Sequence, residues 1–111
     1  MLITMRAYGA VLLVLVLGHL GSARAQESGD PARGLTVARE LCGSCHAVRR
    51  GQEVSPNPVA PPFVRVATIP GMTAMALNHL MHSSHKTMPN IMVAPEDQWH
   101  LVADILSLQT R

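Results

Sequence analysis

Three segments of this chain repeat apolar residues at helical spacing, and none alternates apolar and polar residues as a half-buried strand would. In the first, "PARGLTVARELC", Leu35, Ala38, Leu41 and Cys42 fall on one stripe. Asp30-Pro31 opens it well, because Asp caps a helix and Pro is tolerated at the first helical position. The second lies in "PGMTAMALNHLMHSSH", with Thr73 as N-cap and Ala74, Leu77, Leu80 and Met81 as its apolar face. The third opens at Pro95, with Glu96 and Asp97 where the helix dipole favours anions. Trp99, Leu101, Val102, Ile105, Leu106 and Leu108 give it a broad apolar face, while Ala94 caps it poorly, which predicts fraying there.

Two long irregular stretches separate these helices. Gly51 to Pro62, "GQEVSPNPVAPP", holds four prolines, which remove backbone donors and fix φ. Ser83 to Ala94, "SSHKTMPNIMVA", is broken at Pro89 and Asn90. Loops this long in a small domain call for a functional reason, and a buried group they can wrap would supply one. The expected fold is all-α: three main helices and long ordered loops.

The start of the chain has a different character. Arg6 precedes the apolar run "AVLLVLVL", Ala10 to Leu17, and "SARAQ" places small residues at Ala23 and Ala25. That is the layout of a secretory signal cleaved after Ala25. An uncleaved anchor is the alternative, but the run is shorter than the ~20 residues a spanning helix needs. The division is then 1–25 leader and 26–111 mature domain. The +2 formal charge leaves with Arg6 and Arg24, so no basic footprint for nucleic acid remains. The mature part is short and keeps two aromatics, Phe63 and Trp99. A domain this small usually needs a disulfide, a metal or a cofactor to hold it.

The chemistry concentrates in "LCGSCHAVRR", Leu41 to Arg50. A disulfide between Cys42 and Cys45 would close too small a loop to stabilise much. Zinc needs a fourth ligand from afar. A redox-active thiol pair belongs at a helix N-terminus in a βαβ setting, whereas this pair follows a helix. Cys-x-x-Cys-His is the attachment pattern of c-type haem: two thiols bond the porphyrin edge, and the next residue, His46, is delivered to the ring face as a ligand for iron.

The chain resembles the small bacterial monohaem cytochromes c with His and Met ligands. The resemblance runs in order through "GLTVARELCGSCHAV", "APPF", "MPN" and "LVADILSL". It implies a cytochrome c-like fold around one haem c held through Cys42 and Cys45. It also implies that the first and last helices cross at Gly34. Asp104 departs from the pattern, standing where the family usually has a tyrosine.

The other side of the iron has several candidates. Met75 and Met81 sit at helical spacing and Met72 at the helix entrance, so they read as core filling. Met88 lies in an irregular loop before Pro89; Met92, His82 and His85 compete with it. The resemblance assigns "TMPN", hence Met88, as the second ligand. It assigns the carbonyl of Pro61 in "APPF" as the group holding the other ring nitrogen of His46, and Phe63 as packing on the haem. A titrating His82 or His85 would make the potential depend on pH.

With both axial positions taken by protein, the expected role is an exported, periplasmic one-electron carrier and not an enzyme. Its partners would be redox proteins, with transient contact to membrane redox complexes. Arg49, Arg50, Arg65 and Lys86 are candidates to steer an acidic partner. The alternatives are an electron-accepting subunit of a dehydrogenase, and a haem sensor or peroxidase with a labile sixth ligand.

Overall fold

The computed structural model describes residues 29–83 and 87–109. The expected leader and its expected cleavage site lie outside these residues, as do His85 and Lys86. The described residues are all-α: α1 Pro31–Leu41, α2 Phe63–Ala67, α3 Ala74–His82 and α4 Pro95–Ser107.

The expected caps form. The Asp30 carboxylate accepts from the Ala32 N–H at 2.9 Å, with Pro31 beginning α1. The Thr73 hydroxyl accepts from the Ala76 N–H at 3.2 Å. α4 begins at Pro95 without a side-chain cap on Ala94, and Gln98 instead reaches back to the Val93 carbonyl. The five-residue α2 follows Pro62 and is additional to the three expected helices. One turn is too short to show a period.

α1 and α4 form the most extensive helix pair, and α2 and α3 both lean on α4. The core gathers Ala38 and Cys42 from α1 and its end, Val48, Phe63 and Ala67, Leu77, and Leu101, Val102, Ile105 and Leu108 from α4 and its end. Gly34 makes the main crossing close, because a Cβ there would run into the His100 carbonyl and the Asp104 Cβ. Two further ties fix the helix pair. The Asp30 N–H donates to His100 Nδ1 at 2.8 Å, and Arg33 pairs with Asp97 at 2.8 Å.

The apolar stripe of α1 is turned from its expected setting. Gly34, Val37 and Ala38 are buried, whereas Leu41 is on the exposed side. The glycine contact pulls the buried face toward residue 34, which leaves Leu41 at its margin. On α3 only Leu77 is fully buried, with Ala74 and Met81 packed at the core's edge. Met72 also packs there, as expected. Met75 does not: at 80% exposure it faces solvent, one residue off the buried line of α3.

Candidate functional site

The end of α1 builds the site. The Cys42 N–H completes the helix by donating to the Ala38 carbonyl. The Cys42 carbonyl then accepts from both Cys45 (3.1 Å) and His46 (2.9 Å), closing a tight turn. This turn places the two thiols and the imidazole in one short arc.

The proline-rich loop closes over that arc. Gly51, with φ +77, starts it in a conformation that glycine adopts without strain. Asn57 donates to the Cys45 carbonyl at 3.0 Å, the Ala47 N–H to the Ser55 hydroxyl at 3.0 Å, and Phe63 to the Ala47 carbonyl at 2.9 Å. The segment is therefore fixed at both ends and in the middle. Ser55 is buried and was not singled out from the sequence, where one serine in an irregular segment carries no signal.

His46 Nδ1 lies 2.7 Å from the Pro61 carbonyl oxygen. A carbonyl only accepts, so Nδ1 carries the proton, and Nε2 is the nitrogen with a lone pair to offer. A ring held this way is set up as a metal ligand. The buried Phe63 lies against it, with centroids 5.3 Å apart and planes tilted by 43°. Cys42, Cys45, His46, Pro61 and Phe63 are thus brought together. Met88 is half-buried in the separate loop after α3, and Met92 is 81% exposed.

The electrostatics set Cys42 apart from a reactive thiol. Burial, with smaller contributions from Asp104 and Cys45, pushes the Cys42 thiol up to about 11. At neutral pH it is a protonated thiol and a poor nucleophile. Beside the turn lies an open cleft of about 200 Å³, lined by Arg39, Gly43, His46, Val48, Arg49 and Gln52.

These residues fit a covalently held haem. There are two thiols in one turn, an imidazole with a fixed tautomer, and an apolar fringe of Leu35, Met72, Met81, Val93 and Leu106 at the core's edge. The carboxamide oxygen of Asn78, buried on α3 with no partner, is a further polar group awaiting one.

No protein-family model matches the chain, and no solved structure matches it. Among curated proteins it is similar to cytochrome c-552 of Bradyrhizobium diazoefficiens, with 30% identity over 97 residues, 87% of this chain and 92% of the relative. Similarity at that level across nearly the whole length establishes kinship, and the chain belongs to the cytochrome c family.

Proposed function

We propose that this protein is an exported one-electron carrier with one haem c, bound covalently through Cys42 and Cys45 and ligated by His46 and Met88. The haem supplies a ferric/ferrous couple that accepts or gives one electron. The observation that carries the reading is the 2.7 Å hydrogen bond from His46 Nδ1 to the Pro61 carbonyl, made one residue after the second cysteine. It fixes the ring's orientation and leaves Nε2 as the ligating atom.

The remaining residues serve the same end. Cys42, protonated and buried, is suited to permanent attachment and not to thiol exchange. Phe63 packs against the imidazole. Met88 supplies a soft thioether, which favours the ferrous state and raises the potential relative to a second histidine. Pro89 stiffens the chain beside it. A buried redox centre with both axial positions filled suits electron transfer and offers no site for a substrate.

Export follows from the Arg6–Ala25 segment, which puts the carrier in the periplasm. Its partners are then soluble or membrane-bound redox proteins. Arg39 and Arg49, at the cleft beside His46, are the cations best placed to attract an acidic partner.

The test is an optical spectrum of the mature protein in both redox states, repeated on Met88→Ala. A c-type haem spectrum altered by the substitution is the expected result. Absence of any haem spectrum overturns the carrier reading, and a spectrum indifferent to the substitution overturns the Met88 assignment. CO binding by the reduced wild-type protein at neutral pH would favour a sensor or peroxidase with a labile ligand.

A further inference from the structure

Asp104 is the least expected side chain in the core. It lies on the buried face of α4 between Leu101 and Ile105, with 5% of its surface exposed. Its Oδ2 is buried without a hydrogen-bond partner. Carboxylates are rarely buried this deeply unless paired. Its Cβ sits where Gly34 lets α1 approach, so relief by moving the helices apart would open the main crossing.

Cys42 lies in the core cluster with Leu101, Val102 and Ile105, the α4 residues that flank Asp104, and the Asp104 carboxylate adds to burial in pushing its thiol up. A charge at one position is therefore felt at the other. This matters because Cys42 is the point at which the haem would join the chain.

We propose that Asp104 couples a proton to the electron: its buried carboxyl takes up a proton when the haem attached at Cys42 is reduced, and releases it on oxidation. This rests on the haem-carrier reading above. The electron comes from a reduced redox partner and the proton from solvent. An O–H bond forms at the Asp104 carboxyl as hydronium gives up its proton, and the reverse occurs on oxidation. The physical cause is charge. An electron arriving near a buried carboxylate is opposed by it, and low-dielectric surroundings strengthen that opposition. Protonation removes it.

The surrounding groups leave Asp104 free to play this part. From α1, Arg39 attracts the carboxylate, and burial outweighs it, pushing Asp104 up to about 6. Cys42 is the other titratable group of α1 acting there, and attachment would remove its proton altogether. On α4 itself, His100 is engaged by the Asp30 N–H, and the Asp104 carbonyl accepts from the Ser107 hydroxyl. Arg50 reaches the Ser107 carbonyl. The titratable groups of α2 and α3, namely Arg65, His79 and His82, lie on exposed positions. Asp104 therefore titrates near neutrality, where a modest change in field shifts its proton occupancy.

The test is the midpoint potential of the haem-loaded protein from about pH 4 to pH 8, for wild type and Asp104→Asn, each first checked for a c-type spectrum. Wild type is expected to lose potential as pH rises through the range around 6, and Asp104→Asn to lack that fall. A tenfold tighter hold on the proton in the reduced state would appear as a total fall of about 59 mV. Should Asp104→Asn fail to fold, redox-difference infrared spectra of wild type with carboxyl-labelled aspartate take its place. A protonated carboxyl band appearing on reduction supports the proposal. Haem-loaded protein with a flat potential, an equal slope in Asp104→Asn, or no such band overturns it while leaving the carrier reading intact. Protein that binds no haem overturns both.

Discussion

Gly34 lies against the backbone carbonyl of His100, so α1 and α4 cross where there is no room for a Cβ. Gly34→Ala is therefore expected to destabilise the fold by about 1–3 kcal/mol, the usual cost of forcing atoms into a packed interior. For a domain of this size each kcal/mol lowers Tm by roughly 4–8 °C. Thermal unfolding of the two proteins gives the answer. An unchanged Tm would mean that the helices separate at little cost.

Asp104 makes the same crossing sensitive to pH. Its folded-state value, raised from an ordinary 3.8 to about 6, means that folding favours the protonated form. The resulting stability is fully present below pH 3.8 and lost as pH rises through 6, and it amounts to up to about 3 kcal/mol. Asp104→Asn should be the more stable protein at pH 7.5, with the difference shrinking toward pH 4. Guanidinium unfolding at both pH values measures it. A constant difference would contradict the burial argument.

Phe63 holds the imidazole of His46 and fills part of the core. Phe63→Ala should cost about 3–5 kcal/mol, as large-to-small core substitutions of aromatic residues do. Because the Pro61 carbonyl still fixes His46, the oxidised spectrum should survive at low temperature. Denaturant titration and the optical spectrum separate the two effects.

Met88 and Met92 are separated by exposure. Met92→Ala should leave the spectrum and potential unchanged, since its side chain is 81% exposed. Met88→His should lower the potential by exchanging a thioether for a harder nitrogen ligand. Potentiometry on both variants checks this. A shift in Met92→Ala alone would transfer the ligand role.

The carrier reading gives the cleft cations a part in partner encounter. Arg39→Gln with Arg49→Gln should slow electron exchange with an acidic partner at low salt and flatten its dependence on ionic strength. Stopped-flow rates at several salt concentrations decide it. Identical salt slopes would remove these residues from docking.

Much of this architecture could be read along the chain because local chemistry specifies it. Asp30-Pro31 and Thr73 announce helix starts through their own capping bonds, and both bonds form. The all-α fold follows from three stretches with helical period. Other features depend on what meets across space. Leu41 and Met75 fit apolar stripes by spacing, yet Leu41 falls at the margin of the buried face and Met75 faces solvent, because the rotation of each helix is set by its neighbour. Gln109 was not anticipated: its amide donates to the Ala67 carbonyl at 2.9 Å and the Met72 carbonyl at 3.2 Å, fastening the connection between α2 and α3. At the candidate site, the resemblance pointed to a bond between Pro61 and His46, residues fifteen apart, and a bond of that kind is present. The ligand role proposed for Met88 would depend on tertiary approach, which no local pattern encodes.

The pairing of α1 with α4 also sets an order of events. Cys42 shares its buried cluster with Leu101, Val102 and Ile105 of α4, which leaves the ribosome after every other helix described here. Until they arrive, its sulfur is open to whatever modifies it. Afterwards it is sealed at 7% exposure. On the haem-carrier reading the chain would carry a built-in deadline: bond-making at Cys42 would belong to the interval before α4 docks, and a variant that hastens docking would shorten that interval.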